Sequence, residues 1–204
     1  MFEQQKNNEQ MKTTIILFLA QLALITGFAI SQPTIAESEK AAIISVVQEE
    51  KVAHDFYAAM YELHGLTPFR SISKSEGIHM DKARNLVNHF GIEDPNTEFY
   101  DTPGKFKTHK FQVMYDDLVR EGSYSIQDAL IESAKFEELD IVDIEKLNST
   151  VQNEYIKSTF ESLIGISKNH LKAIVRELSE RGIDYSPSYL TKDELNSIVK
   201  SKDY

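Results

Sequence analysis

The stretch Ser75-Glu76-Gly77-Ile78-His79-Met80 places a carboxylate and an imidazole three residues apart. Residues three apart on a helix point the same way, so Glu76 and His79 share one face. The rest of that face is apolar and has the heptad spacing of a bundle helix: Ile72, Ala83, Leu86 and Phe90. Ionisable groups are costly in a core unless they pair or bind something. Glu76 and His79 are therefore candidate metal ligands, the alternative being a solvent-edge glutamate beside a hydrogen-bonded core histidine.

The composition of the chain limits its class of function. Of 204 residues, 41% are hydrophobic and 26% are charged, which predicts one globular domain with a sizeable core. The net charge of −10 argues against nucleic acid and anionic membrane surfaces as partners and suits the binding of cations. The chain has no cysteine, which excludes disulfides, thiolate zinc sites and iron–sulfur clusters. A metal site must therefore use His, Asp and Glu, which favour iron, manganese or zinc over copper(I).

Residues 1–31 predict a signal peptide or leader. About sixteen mostly apolar residues run from Ile15 to Ile30, fewer than the roughly twenty of a membrane span. A lysine precedes this run, and Ala29-Ile30-Ser31 has the small-x-small pattern of a cleavage site. We expect an exported protein, periplasmic or extracellular, whose mature chain begins near Gln32. Thr34-Ile35-Ala36 is a second candidate cleavage site, and an uncleaved membrane anchor is the alternative.

The remainder of the chain predicts helices almost throughout. Amphipathic runs that follow capping residues and stop at glycines predict four long helices, at 37–64, 68–90, 125–147 and 150–181. The expected N-caps of the second, third and fourth helices are Thr67, Ser125 and Ser149. Strand signals are sparse, so the predicted fold class is all-α.

Two further segments complete the predicted architecture. The connection 91–124 lies between the second and third long helices and contains a short helix near 108–121. The tail 183–204 opens a helix at Thr191-x-x-Glu194, and its aromatic residues are expected to pack on the outside of the bundle. Residues 37–182 thus predict a four-helix bundle with a long crossover between helices two and three, the arrangement described for ferritin-like folds.

The first predicted helix also places an acid in an apolar face. The neighbours of Glu50 at heptad spacing are apolar, whereas Glu49 and Lys51 are expected to be solvated. The alternative is that all three form one solvated run of charges. His54 lies one turn from Glu50 and is expected at the boundary of the core.

The third and fourth predicted helices repeat this pattern. Glu137 interrupts an apolar face of the third helix, with Glu138 as a rival and Asp140 one turn later as a further candidate ligand. The alternative is an acidic surface patch. In the fourth helix His170 lies in an apolar face, three residues after Ser167.

A convergent site would contain Glu50, Glu76, His79, Glu137 and His170. Three carboxylates can bridge and terminally bind two divalent ions, and each imidazole can bind one of them. We therefore predict two divalent metal ions as cofactors, with iron favoured and manganese as the alternative.

Several runs of the sequence resemble a known group of proteins. Glu50-x-x-Ala53-x-x-x-Tyr57 and Glu76-x-x-His79 resemble the first two helices of ferritin-like, rubrerythrin-type proteins. Four runs more closely resemble an uncharacterised prokaryotic ferritin-like domain family, over residues 40–182: 49–53, 75–80, 137–143 and 168–173. The resemblance implies a bundle with a dinuclear metal motif and names no substrate.

The resemblance also has limits that bear on function. Rubrerythrin-like proteins carry Glu-x-x-His in the fourth helix, whereas Ser167 holds the place of that glutamate here. The chain has no cysteine-based rubredoxin domain, so electron delivery through one is not expected. The predicted chemistry is oxidation of the metal, or reduction of dioxygen or peroxide at it. The alternative is a helical binding or structural module with a degenerate metal site, and a homodimer is among the assemblies left open.

Overall fold

The computed structural model describes residues 33–202, which contain helices and no strand. The described helices are α1 (Glu37–His64), α2 (Thr67–His89), α3 (His109–Gly122), α4 (Ile126–Asn148), α5 (Glu154–Glu180) and α6 (Lys192–Lys200). The all-α prediction is confirmed for this part of the chain. The predicted leader lies outside the described residues, and none of the six helices is long and apolar enough to cross a bilayer.

Local sequence signals account for several helix ends. Gly65 and Gly182 follow α1 and α5 with φ angles of 68° and 73°, a left-handed conformation that side chains disfavour. Ser125 is the N-cap of α4, and its side chain accepts a hydrogen bond from the N–H of Asp128, as predicted. Thr191 and Glu194 form a capping box at the start of α6.

The predicted start of the fourth long helix is wrong. Helix α4 extends to Asn148, so Ser149 lies at its C-terminal end, and α5 begins at Glu154. The N-cap of α5 is Asn153, whose side-chain oxygen accepts hydrogen bonds from two N–H groups of the first turn. The N–H groups of Gln152 and Asn153 each lie 2.8 Å from a carboxylate oxygen of Glu39. This long-range contact fixes the loop before α5. A capping pattern depends only on neighbouring residues and therefore could not predict it.

The four long helices enclose one core. Helix α1 packs along α2, and α4 packs along α5, as the short connections between them require. Helix α2 also contacts α5, and α1 contacts α4, which closes the bundle. Fully buried side chains from each long helix fill the interior, among them Phe56, Leu86, Leu130 and Phe160.

Two segments cover the outside of the bundle. Helix α3 packs across α1 and α4, and the connection before it is fixed where the N–H of Gly104 donates to the carboxylate of Asp55, at 2.9 Å. Helix α6 packs on α5, with Leu195 and Ile198 buried in the main core. The segment before α6 is held by Glu138, one carboxylate oxygen of which accepts hydrogen bonds from the N–H groups of 188–190 at 2.7–3.0 Å.

Candidate metal centre

Glu76 lies between two histidines in the middle of the bundle. Its Oε2 is 2.7 Å from Nδ1 of His79, one turn away on α2, and its Oε1 is 2.7 Å from Nδ1 of His170 on α5. The two imidazole rings are stacked, with centroids 5.4 Å apart. All three side chains are buried because the apolar neighbours in their faces turn them inward. Each oxygen of the Glu76 carboxylate thus faces a different imidazole.

A further carboxylate lies beside each histidine. Oε2 of Glu50, on α1, is 3.2 Å from Nδ1 of His79, and Oε1 of Glu137, on α4, is 3.6 Å from Nδ1 of His170. The hydroxyl of Tyr57 donates to Oε1 of Glu137 at 2.6 Å. All five residues predicted as ligands therefore meet in one buried cluster, which draws at least one residue from each long helix.

Carboxylates set the protonation of the two histidines. Burial by itself lowers the pKa of His79 and His170, because it disfavours the charged form. The carboxylates of Glu76 and Glu50 outweigh burial at His79 and raise its pKa to about 11. The carboxylates of Glu76 and Glu137 raise the pKa of His170 to about 10 in the same way. In the metal-free protein the two imidazoles are therefore protonated at neutral pH.

The carboxylates respond to burial in different ways. Burial raises the pKa of Glu50 to about 7 despite the adjacent His79, and burial also raises the pKa of Glu137. Burial opposes the ionisation of Glu76 as well, but the positive charges of His170 and His79 outweigh it and lower the pKa of this carboxyl below its usual range. Glu76 is thus the charged carboxylate at the centre of the cluster.

Two overlapping groups of these ligand atoms could each hold a metal ion. Ligand atoms of Glu50, Glu76 and His79 lie within 4.8 Å of one another, and so do those of Glu76, Glu137 and His170. The two groups share Glu76, and each of them contains one histidine. In addition, Oε1 of Glu50 is buried and has no hydrogen-bond partner within the described residues. A bound cation would give this oxygen the partner that it lacks.

The other acids of α4 have different roles. Glu138, the rival ligand, faces the segment before α6 and is occupied by its N–H groups. Asp140 is buried, and its Oδ2 accepts a 2.7 Å hydrogen bond from the hydroxyl of Ser167. Ser167 also donates to the carbonyl oxygen of Leu163. Ser167 occupies the position on α5 where the resemblance implies a glutamate. Its hydroxyl thus holds Asp140 on the neighbouring helix α4.

The prediction that Glu49 and Lys51 are solvated is wrong, because each is only 1% exposed. Lys51 forms an ion pair with Asp55 and lies over the ring of Phe106, so helix α3 and the connection before it cover this side of α1. Glu49 has no hydrogen-bond partner among the described residues. A signal for its burial exists in the sequence, since apolar residues flank it at heptad spacing: Ala42, Val46, Ala53, Phe56 and Met60.

The remaining histidines lie outside the cluster. His54 is about one-third exposed and pairs through Nδ1 with Asp55 at 3.0 Å. Nε2 of His64 is 2.8 Å from the carbonyl oxygen of Gly122 and ties the end of α1 to the end of α3. His89 is exposed and packs edge-on against the rings of Phe90 and Tyr155. His109 is exposed at the start of α3.

Comparisons with known proteins give a family and a similar fold, and they name no activity. A family model described as "Uncharacterized protein domain (DUF2202)" matches residues 39–202. The uncharacterized protein MJ0754 of Methanocaldococcus jannaschii is 40% identical over 167 residues, which are 82% of this chain and 89% of that protein. The crystal structure of the hypothetical protein MJ0754 superposes with a TM-score of 0.81 at 38% identity, covering 86% of this chain and 99% of that one.

Proposed function

This chain belongs to the DUF2202 family of uncharacterized protein domains, and we propose that it is an exported, ferritin-like protein with a dinuclear iron or manganese centre. The proposed ligands are Glu50, Glu76, His79, Glu137 and His170. The centre would oxidise its metal or reduce dioxygen or peroxide. The ferritin-like assignment is supported by the pairing of the four long helices and by the placement of a carboxylate or imidazole on each of them.

The observation that carries this proposal is the position of Glu76. Its two oxygens are each 2.7 Å from a different histidine, so one carboxylate belongs to both triads. One carboxylate shared between two groups that each contain a histidine resembles the di-metal carboxylate sites of four-helix bundles. Both histidines must lose a proton before they can bind metal, so uptake of metal releases protons and strengthens as the pH rises.

The chain supplies the ligands and their surroundings. Bound ferrous iron would supply electrons for the reduction of dioxygen or peroxide. Tyr57 holds Glu137 through its hydroxyl proton, and burial together with the charge of Glu137 raises the pKa of Tyr57 well above its usual value, so Tyr57 stays a donor. Ser167 stands where the resemblance implies a further glutamate, so the proposed centre has three carboxylates, and its hydroxyl donates to Asp140.

Iron loading without oxygen tests the proposal. Metal-free protein is loaded anaerobically with ferrous iron, the bound iron is counted by elemental analysis, and air is then admitted while absorbance records oxidation. We expect two irons per chain and oxidation faster than that of free ferrous iron in the same buffer. His79→Ala and His170→Ala should each lower the iron content with the helical circular dichroism retained.

Two results would contradict different parts of the proposal. A wild-type protein that binds neither iron nor manganese would exclude the metal centre. A protein that binds two irons but oxidises them no faster than the buffer does would exclude the oxidase and leave a structural metal site. His109→Ala, which removes an exposed histidine at the start of α3, is the control for the loss of an imidazole and should keep the wild-type iron content.

Export is a separate part of the proposal and rests on the sequence of residues 1–31. Mass spectrometry of the protein expressed from its full gene and recovered from a cell envelope or medium fraction should give a chain that begins near Gln32. An intact N-terminus on a protein found in the cytosol would contradict export and would leave the metal centre untouched.

A further inference from the structure

A cleft between α5 and the end of α6 is lined by two cations, Lys172 and Arg176, and by no acid among the described residues. Its volume of about 610 Å³ lies within the range of about 300–1,000 Å³ that small-molecule sites occupy. None of its lining residues belongs to either group of candidate metal ligands. The function proposed above therefore leaves this cleft unexplained.

Helical spacing brings the polar side chains of the cleft together on α5. They follow one another at steps of three or four residues and so form one stripe along the helix: Asn169, Lys172, Arg176 and Ser179. Each of these side chains carries a hydrogen-bond donor. Beside them Ala173, Val175 and Val199 form an apolar wall. The cleft thus combines donors and positive charge with an apolar surface.

Other clefts of the described residues have the opposite balance of charge. The cleft between α3 and α4 is smaller, about 320 Å³, and its charged lining residues are two lysines and three acids: Lys110, Lys135, Asp117, Glu121 and Glu132. The cleft between α6 and the helices beneath it has one lysine and three acids: Lys168, Glu145, Asp193 and Glu194. The whole chain has a net charge of −10. A small anion is repelled by such a surface and is attracted where cations lie without acids.

The two cations of the cleft differ in what they contact. Nζ of Lys172 is 2.5 Å from the carbonyl oxygen of Ser201, which fixes the end of α6 beside α5. Arg176 is 72% exposed, and its Nε is 3.8 Å from Oε1 of Glu180, an exposed pair of a kind that contributes little to stability. This weak pair leaves the guanidinium able to bind a carboxylate or phosphate through two parallel hydrogen bonds.

We propose that this cleft binds a small organic anion, a molecule with one carboxylate or phosphate group and an apolar part. Arg176 binds the anionic group, Lys172 adds positive charge, and the apolar wall contacts the rest of the molecule. The site does not depend on the metal centre, because it shares no residue with the candidate ligands.

Titration of the full-length protein with phenyl phosphate, followed by NMR of the backbone amides, tests this proposal. We expect the amide signals of residues 169–179 to shift. Inorganic phosphate lacks the apolar part and should bind about 10-fold more weakly. Benzyl alcohol lacks the charge and should leave these signals unchanged. Benzoate, titrated in the same way, shows whether a carboxylate or a phosphate is preferred. Shifts with benzyl alcohol as large as those with phenyl phosphate would overturn the proposal, and so would the absence of shifts at 169–179 with both phenyl phosphate and benzoate.

Arg176→Gln should weaken the binding of phenyl phosphate about 10-fold, because charge-assisted hydrogen bonds are lost, and Arg176→Lys should weaken it less. Arg181→Gln is the matched control. It removes the same charge just after α5, but Arg181 lies outside the cleft and pairs with Glu177 at 2.8 Å. Its affinity should equal that of the wild type. Equal affinities for Arg176→Gln and the wild type would overturn the site. Equal losses in Arg176→Gln and Arg181→Gln would also overturn it, because only the net charge of the surface would then matter.

Discussion

The buried acids of this bundle fall into two groups that differ in what lies opposite them. Glu39 and Glu138 face backbone N–H groups, which hold a loop and the segment before α6. Glu50, Glu76 and Glu137 face two histidines and one another, with one oxygen of Glu50 unpaired. Burial of a carboxylate therefore does not by itself indicate a metal site. The first group stabilises the fold through hydrogen bonds to its carboxylates, and the second group has ligand atoms that could hold metal ions.

The largest effect on metal content and stability is expected from a change in the second group. Glu76→Gln should reduce the metal content from two ions per chain to none, because one residue belongs to both triads. Each ion stabilises the fold by about 2.7 kcal/mol at a free metal concentration 100 times its Kd, so about 5 kcal/mol of metal-dependent stability should disappear. Urea unfolding with and without manganese measures this difference. A variant that still binds two ions would show that Glu76 is not the bridge.

The next largest effect is expected from a change in the first group, which provides the comparison for Glu76→Gln. Glu138→Gln should lower the free energy of unfolding by about 2 kcal/mol, because charge-assisted hydrogen bonds to three N–H groups become neutral or are lost. Hydrogen exchange of residues 188–190 should accelerate, and the metal content should stay at the wild-type value. A loss of metal in this variant would remove the distinction between the two groups.

The pH dependence of Glu39 sharpens the same distinction. Burial by itself raises the pKa of Glu39, but hydrogen bonds from the N–H groups of Asn153, Gln152 and Ala36 outweigh it and lower the pKa below its ordinary value of 4.5. A lowered pKa stabilises the fold above the unfolded value and loses that stabilisation as the pH falls through the folded pKa. Glu39→Gln should therefore be about 1.5 kcal/mol less stable than the wild type at pH 7.

Urea unfolding of both metal-free proteins at a series of pH values checks this. The difference between wild type and Glu39→Gln should narrow below pH 4.5 and vanish once Glu39 is protonated in the folded state. A difference that stays constant to the lowest pH would show that the N–H groups do not depend on the charge of Glu39.

The smallest effect on stability is expected at Ser167, which belongs to neither group of acids. Ser167→Ala removes the hydroxyl that donates to Asp140 at 2.7 Å and should cost about 1 kcal/mol of stability. Neither triad includes Ser167, so the number of tightly bound ions should not change. Thermal unfolding and elemental analysis measure the two quantities. A lost ion would show that Asp140, through Ser167, orients a ligand.

Much of the helical pattern and of the candidate cluster could be predicted from the sequence. Heptad spacing placed Glu76, His79 and His170 in faces that the structure buries, because apolar neighbours at that spacing turn a residue inward. Gly65 placed the C-terminal end of α1 and Ser125 placed the start of α4, because those signals act within one turn of the helix.

The sequence by itself thus determined which helices form and which acids and histidines lie in their apolar faces. Only the tertiary structure decided which of these side chains meet and what balances their charge. Glu39 accepts hydrogen bonds from the N–H groups of residues 152 and 153, more than a hundred positions away. This contact lies just before the observed start of α5 at Glu154, which differs from the predicted start after Ser149. Glu49 is buried because α1 is covered on more than one side. Burial and charge balance depend on every element that packs against a residue, whereas helical periodicity reports only the residue's own helix.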